Sequence, residues 1–210
     1  MSPDVPRVES VVRTIADTCI ENEKYFGDLD SVVGDGDFGF SLARGFENVV
    51  AQWDTFDRSD VGTFLQKVAM VMTGRIGGTS GPIWGTAFLR AAAVVKGKPD
   101  ATGEDVVAML RAAIEGIKAR GGADLGEKTL LDALAPMTDT IEANLGGDPQ
   151  EVATKAAKSA REAAEATITM QARRGRASYT GERSIGSVDP GAIAVAVLAE
   201  SIAGRVAEAW

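Results

Sequence analysis

Residues 29–46 read LDSVVGDGDFGFSLARGF, an acidic, glycine-rich segment that runs directly into a helical pattern. Three aspartates, Asp30, Asp35 and Asp37, lie among its glycines, and no lysine or arginine precedes Arg44 in it. Glycine favours a turn here, and beyond the glycines the apolar residues recur with the period of an α-helix. The segment therefore predicts an acidic loop at the start of a helix, and the charge of that loop needs a partner.

The helical period continues along the rest of the chain, and almost no segment shows the alternation that is typical of strands. Eight segments carry it: 8–26, 41–53, 61–73, 82–95, 104–120, 128–144, 150–173 and 190–209. Asp148 and Asp189 each precede a proline, an arrangement that suits the first turn of a helix. We therefore predict an all-α fold in a single domain over residues 1–210.

Composition narrows the class of protein. Of the 210 residues, 45% are hydrophobic and 25% charged, and the net charge of -8 argues against a nucleic-acid groove or an anionic membrane surface. No apolar run is long enough to span a bilayer, and the N-terminus lacks the order of a signal peptide, so we predict a cytoplasmic protein. The lone Cys19 excludes an internal disulfide. Histidine is absent, which excludes histidine-based nucleophile systems, a histidine general base and histidine-ligated zinc.

Two phosphate-binding motifs are nearly matched but fail on context. Gly34, Gly36 and Gly39 spell G-x-G-x-x-G, yet no buried strand precedes them and the intervening aspartates would repel a pyrophosphate. Residues 120–129, RGGADLGEKT, approach a P-loop, but Glu127 stands where the lysine belongs and a helical segment comes before it. An EF-hand is excluded as well, because its later ligand positions do not match.

A hard cation is the partner that the aspartates favour. Two like charges about 4 Å apart repel by roughly 4 kcal/mol at an effective dielectric constant of about 20. Magnesium accepts a few carboxylates and completes its octahedron with waters and phosphates. In an extended loop Asp35 and Asp37 point to the same side, and Asp30 can reach back to them. The alternative is a solvated acidic turn that caps the helix at Ser41, and spacing alone does not decide between the two.

Other glycine-rich segments supply further parts of a nucleotide site. Residues 77–82, GGTSGP, offer two hydroxyls and main-chain amides at a helix start, where free N–H groups and the helix dipole favour phosphate. A basic cluster on a glycine-containing segment can form a lid; its members are Arg173, Arg174, Arg176 and Arg183. A serine cap without a ligand and a solvated basic loop are the alternatives. Together with the aspartates, these parts are typical of a site for a magnesium nucleotide.

The chain closely resembles the nucleotide-binding L subunit of dihydroxyacetone kinases in four motifs: GDGDFG, GGTSGPIWG, GEKTLLDAL and TITMQARRGRASYTGERSIGSVDPGA. The resemblance covers essentially the whole chain and is most specific over residues 170–191. It implies a barrel of eight antiparallel amphipathic helices with ATP or ADP held at one end. Fatty acid kinases share the aspartate loop, but their second glycine loop carries an arginine and an asparagine that GGTSGP lacks.

The resemblance also implies which residues form the site. By position, Asp30, Asp35 and Asp37 match the ligands of two magnesium ions. The positions that match or adjoin nucleotide contacts are Phe38, Gly39, Phe40, Ser41, Gly78, Thr79, Ser80, Gly121, Thr129, Leu130, Arg176, Asp189, Pro190 and Gly191. In the predicted transfer, Arg176 and the amides of residues 78–81 stabilise the developing charge, so that Arg176 and the three aspartates are the catalytic candidates.

The implied activity is phosphoryl transfer to a short ketose such as dihydroxyacetone. In the family a separate K subunit, or a fused K domain, holds the ketose covalently through a histidine, so this chain is predicted to act only with such a partner. The nucleotide is either exchanged from solution as ATP, or kept as ADP and recharged by a phosphohistidine protein of the phosphotransferase system. The sequence leaves open this choice, the identity of the ketose and whether the chain forms a homodimer.

Three positions depart from the family pattern. Phe38 replaces a histidine, Ser41 an asparagine, and Ser187 a histidine that commonly precedes the D-P-G turn. Because phenylalanine cannot hydrogen-bond a phosphate, phosphate affinity, acceptor choice or the interface with the K subunit is expected to differ. These departures motivate an alternative function, a non-catalytic nucleotide-binding or regulatory paralogue that acts through a protein partner.

Overall fold

The computed structural model describes residues 4–75 and 80–209, and all regular structure in these two ranges is helical. The α-helices of the described residues are α1 Val5–Glu21, α2 Glu23–Asp30, α3 Phe38–Ala51, α4 Val61–Arg75, α5 Ser80–Val95, α6 Gly103–Gly121, α7 Leu131–Ala143, α8 Pro149–Ala166 and α9 Pro190–Ala209. Three short 3₁₀ helices cover Trp53–Thr55, Thr167–Thr169 and Arg176–Ser184. The predicted all-α fold is confirmed, and none of the described helices combines the length and apolar character that crossing a bilayer requires.

The helix starts follow the capping signals of the sequence. Asp148 accepts a hydrogen bond from the main-chain N–H of Glu151 at the start of α8 (3.0 Å), and Pro149 occupies the first turn. Thr102 and Asp105 form a reciprocal capping box at the start of α6. Each such cap satisfies N–H groups that have no partner within the helix and stabilises it by about 1 kcal/mol.

Eight of the described helices contact one another in a closed order. α1 contacts α3, each helix from α3 to α8 contacts the next along the chain, and α9 packs on both α8 and α1. α2 lies mainly against α3, outside this order. The closed order is the one that the predicted barrel requires, while the antiparallel barrel geometry itself stays a prediction.

The helices enclose a large apolar core. Its bulkiest fully buried side chains come from α2, α3 and α4: Phe26, Leu42, Phe46, Phe64 and Met72. Burial of each side chain of this size stabilises the fold by about 1.5–3 kcal/mol. Where α8 and α9 pack together, the buried side chains are mostly alanines, and their small size permits a close approach of the two helices.

The helix predicted over residues 8–26 is interrupted at Asn22. The backbone there leaves the helical region (φ −98°, ψ 16°), and the side-chain amide of Asn22 donates to the carbonyl of Thr18 at 2.9 Å. The main-chain N–H of Asn22 donates to the same carbonyl at 3.0 Å, so the main chain and the side chain share this acceptor. A second helix, α2, follows, and its last residue is Asp30.

The helix predicted over residues 150–173 ends earlier, at Ala166. The buried Thr167 hydroxyl donates to the carbonyl of Ala164 (2.5 Å) and accepts a hydrogen bond from the main-chain N–H of Asp189 (2.9 Å). Thr167 thus ends α8 and joins that end to the residue before α9. Between these two points lie residues 170–187, which contain the 3₁₀ helix Arg176–Ser184. We call them the basic segment because they carry the predicted arginine cluster.

Candidate metal and nucleotide site

The three aspartates of the glycine-rich loop come together. Asp30 is the last residue of α2, Asp35 lies in the loop, and Asp37 directly precedes α3. One carboxylate oxygen from each lies within 4.8 Å of the others, and the cluster faces solvent. Three carboxylate oxygens at this separation are the kind of ligand set that a hard divalent cation takes.

Two glycines make this cluster possible. A Cβ atom at Gly34 would lie only 2.2 Å from the Asp30 carboxylate, so any side chain there would displace that carboxylate. Gly36 has a φ of +76°, in the left-handed region that favours glycine. The glycines of the loop therefore serve the placement of the aspartates.

The carboxylate of Asp37 does not cap the helix that follows it. Asp37 is the residue before α3, but in the described part of the chain its side chain makes no capping hydrogen bond to that helix. The main chain of Phe38 donates instead to the carboxylate of Asp30, at 3.4 Å. The arrangement favours the metal interpretation of the loop over a purely capping one.

The electrostatics of the cluster favour a cation. Desolvation raises the pKa of the Asp37 carboxyl, the negative charges of Asp35 and Asp30 raise it further, and Arg176 opposes them. Arg176 reaches the cluster through its Nε atom, which lies 2.7 Å from the Asp35 carboxylate. Its side chain is 69% exposed, so this ion pair is a weak surface contact and leaves the guanidinium available to an anion.

A second group of predicted residues meets at the start of α9. A Cβ atom at Gly191 would lie 3.3 Å from the Cβ of Leu130 and 3.1 Å from the carboxylate of Asp189, so these three residues are close neighbours. The Asp189 carboxylate accepts the N–H of Ala192 at 2.7 Å, and Pro190 opens the helix. The D-P-G turn is thus a helix start packed against the start of α7.

Other predicted residues occupy separate places. Gly121 ends α6, where an added Cβ would lie 3.2 Å from the side chain of Ile83 on α5. The main-chain N–H of Thr129 donates to the carboxylate of Asp132 at 2.8 Å. Ser80 is the first residue of α5, whereas Gly78 and Thr79 lie outside the described residues.

The residues after the aspartates serve packing as well as the site. The ring of Phe38 packs against the buried ring of Phe26, with 6.1 Å between the ring centroids, so its side chain joins the edge of the core. Phe40 is 56% exposed, and the guanidinium of Arg44 lies over its ring. Ser41 is in the first turn of α3 and donates its N–H to the carbonyl of Asp37 at 2.8 Å.

Sequence reasoning missed the role of Asp132. This carboxylate, 8% exposed, accepts N–H groups from Thr129 and from Gly126, and it fixes the turn that leads from α6 into α7. The pattern T-x-x-D at residues 129–132 was the available signal, because an acidic residue three positions after a threonine is typical of a helix start.

The pKa of Asp189 predicts a pH-dependent contribution to stability. Desolvation raises the pKa of this carboxyl to about 7, against the opposing hydrogen bond from Ala192. At this position the folded chain therefore binds the proton more tightly than the unfolded chain, and the contribution of Asp189 to stability falls as the pH rises from about 4 to about 7, by up to roughly 4 kcal/mol. Asp189→Asn keeps an oxygen acceptor for the N–H of Ala192, and we expect it to flatten this dependence.

Thermal unfolding of the native chain and of Asp189→Asn across this pH range measures the effect. Asp148→Asn is the matched control, since Asp148 is also an N-cap before proline but is exposed to solvent. The same slope in Asp189→Asn as in the native chain would contradict the prediction.

Three comparisons relate the chain to known proteins. Residues 32–204 match the family model of the DAK2 domain. The chain is 40% identical over 185 residues to the PEP-dependent dihydroxyacetone kinase, ADP-binding subunit DhaL, of Escherichia coli (strain K12), a match that covers 86% of this chain and 87% of that protein. It is 36% identical over 197 residues to the L-erythrulose 1-kinase of Mycolicibacterium smegmatis, covering 93% of this chain but only 34% of that longer kinase.

A solved structure shows the same fold. The crystal structure of the dihydroxyacetone kinase from C. freundii in complex with AMP-PNP and Mg²⁺ aligns with a TM-score of 0.77 at 24% sequence identity. The alignment covers 98% of this chain and 35% of that one. At this identity, the likeness establishes the arrangement of the helices.

Proposed function

The chain belongs to the DAK2 domain family, and from this membership we propose that it is the nucleotide-binding subunit of a dihydroxyacetone-type kinase. It binds ATP or ADP together with two magnesium ions and takes part in phosphoryl transfer to a short ketose. The name of the Escherichia coli relative, an ADP-binding subunit of a dihydroxyacetone kinase, supports this proposal. So does the likeness to a kinase structure that holds AMP-PNP and Mg²⁺.

The observation that carries the proposal is the cluster of Asp30, Asp35 and Asp37, with Arg176 paired to it. The three carboxylates supply oxygen ligands for magnesium, which when bound neutralises phosphate oxygens and orients them for transfer. The exposed guanidinium of Arg176 is able to exchange its contact with Asp35 for a phosphate oxygen, a partner that suits its planar set of donors. In this role Arg176 stabilises charge that develops during transfer.

The neighbours Leu130 and Gly191 form the surface that we assign to the nucleotide. The turn at Asp189 and Pro190 starts α9, and the dipole at the start of this helix favours a negatively charged group. Gly191 has no side chain, so the main chain can approach a ligand closely. These residues position the nucleotide and perform no chemistry on it.

The acceptor and its base come from a partner. The chain has no histidine to hold a ketose covalently or to act as a general base near neutral pH. We therefore assign both tasks to a K subunit. The Escherichia coli relative is named PEP-dependent, which supports a route in which ADP stays bound and a phosphohistidine protein recharges it.

The proposed function predicts that the isolated chain forms no dihydroxyacetone phosphate. Product is expected only when a K subunit of this kinase type is added, because that subunit brings the acceptor. The measurement follows product formation with ATP, and separately with ADP and a phosphohistidine donor, each with and without the K subunit.

Robust product formation by the chain alone would refute the division of labour between subunits. Nucleotide binding without transfer under every combination would instead favour the regulatory paralogue.

A further inference from the structure

A buried lysine lies outside the site described so far. Lys128 is 3% exposed and stands in the loop between α6 and α7. Its φ is +62°, and it is the one non-glycine residue with a positive φ among residues 4–75 and 80–209. A left-handed backbone costs a residue with a side chain about 1–2 kcal/mol, so the surrounding contacts must hold Lys128 in this conformation.

The contacts of the Lys128 ammonium are main-chain carbonyls. It donates to the carbonyl oxygens of Met170 (3.1 Å), Ser187 (2.6 Å) and Ser184. An ammonium has three donors, and these bonds use all of them. A ring of carbonyl oxygens is also the environment in which proteins hold a monovalent metal cation, so Lys128 acts as a cation tethered to the chain.

All three carbonyls belong to the basic segment. Met170 stands at one end of this segment, and Ser184 and Ser187 stand at the other, so one side chain gathers both ends. Between them lies Arg176, which reaches the carboxylate of Asp35 at 2.7 Å.

Glu127, the residue before Lys128, also contacts the basic segment. The carbonyl of Glu127 accepts the main-chain N–H of Arg173 at 3.0 Å, and its carboxylate pairs with the guanidinium of Arg174 at 2.7 and 2.9 Å. The dipeptide therefore binds the first part of the segment through Glu127 and its two ends through Lys128. These are the residues of the apparent P-loop, and here they contact protein instead of phosphate.

We propose that Lys128 is a positioning residue that holds the basic segment closed and so places Arg176 at the aspartate cluster. The consequence for nucleotide binding rests on the proposed function. Desolvation lowers the pKa of Lys128, and the charge of Asp189 opposes this change. Burial therefore disfavours the charged ammonium, and its hydrogen bonds to the three carbonyls compensate for the lost solvation.

Limited proteolysis with trypsin tests whether Lys128 holds the segment. The exposed Arg173, Arg174 and Arg183 provide cleavage sites inside it. Lys128→Met removes the charge and the donors while keeping the length of the side chain. We expect tryptic cleavage within the segment to become roughly tenfold faster, the change that corresponds to a local opening made easier by about 1.4 kcal/mol.

The matched control is Lys158→Met, which removes a lysine from α8 whose side chain is 76% exposed and paired with Glu162. It is expected to be cleaved at the native rate. Cleavage at sites outside the segment reports global unfolding, and helical circular dichroism reports the fold. A folded Lys128→Met variant with native cleavage of the segment overturns the proposal.

A rescue experiment covers the case in which Lys128→Met does not fold. Lys128→Ala leaves a space beside the three carbonyls, which methylammonium can enter and donate to, whereas tetramethylammonium has no N–H donor. Methylammonium added during refolding is expected to restore the folded, protected segment, and tetramethylammonium is not. Equal effects of the two ions, or no effect of either, overturn the proposal.

Calorimetry of Mg²⁺–ADP binding separates this proposal from the proposed function. A roughly tenfold loss of affinity in Lys128→Met, with native affinity in Lys158→Met, is the expected result. Unchanged affinity in Lys128→Met overturns the placement of Arg176 by Lys128. If the native chain itself binds no Mg²⁺–ADP, the proposed function fails, and the cleavage rates still decide whether Lys128 holds the segment.

Discussion

Replacing Asp37 with asparagine is expected to weaken magnesium-dependent ADP binding strongly while slightly stabilising the metal-free chain. The carboxylate is one of three that converge within 4.8 Å, so its loss removes both a ligand and a negative charge that attracts the cation. We expect ADP affinity to fall at least roughly 30-fold, or about 2 kcal/mol. Without metal, the same change removes a carboxylate whose pKa is raised by desolvation and by the charges of Asp35 and Asp30, so the melting temperature should rise.

Calorimetric titration of ADP into nucleotide-stripped chain, first with magnesium and then with EDTA, measures the loss of affinity, and thermal unfolding measures the stability. The matched control is Asp28→Asn. This aspartate lies on α2 close to the cluster in sequence, but its carboxylate is 64% exposed and pairs with Lys24 at 2.6 Å. Its variant should bind ADP as the native chain does. Native binding by Asp37→Asn, or binding by the native chain that EDTA leaves unchanged, would show that the aspartates hold no metal against the nucleotide.

Replacing Gly39 with alanine is expected to destabilise the fold strongly. Gly39 is the second residue of α3, and its Cβ would lie 1.9 Å from the carbonyl oxygen of Glu23 and 2.6 Å from the N atom of Gly27. Both neighbours are main-chain atoms of α2, so the whole helix has to move. We expect a destabilisation of about 3 kcal/mol, because close-packed interiors resist added volume.

Chemical denaturation measures this loss. Gly204→Ala in α9 is the matched control, since an added Cβ there meets no atom of another described helix within 4 Å. Alanine favours a helix over glycine by about 0.5–1 kcal/mol, so the control should gain stability. Equal effects at the two positions would mean that α2 does not pack on α3 as the structure shows it.

The parts of this molecule that depend on near neighbours were predictable from the sequence. The all-α fold follows from apolar periodicity, and membership of the kinase family follows from motifs that the comparisons confirm. Asp30, Asp35 and Asp37 could be grouped because only a few residues separate them. Their assignment as magnesium ligands stays a prediction.

Features that depend on distant partners were not predictable. In the sequence Lys128 resembled the lysine of a P-loop displaced by one position. Its true contacts were not predictable, because its acceptors lie 42 to 59 residues further along the chain. The break between α1 and α2 was not predicted, because the apolar periodicity continues through Asn22 although the backbone of this residue is not helical. The sequence placed Phe38 among the nucleotide contacts, without a hydrogen bond to phosphate, and gave no sign that its ring packs against Phe26.

The hydrogen bond between Thr167 and Asp189 affects which parts of the chain move together. Because this bond, together with the one from the N–H of Gly186 to the carbonyl of Ile168 (2.8 Å), ties the two ends of the intervening stretch together, that stretch is an Ω-like loop with a closed neck. When the loop opens, α8 and α9 then stay packed against each other, and the opening adds little conformational entropy to the rest of the chain. Local opening of this stretch and unfolding of the domain are therefore separate events with separate free energies.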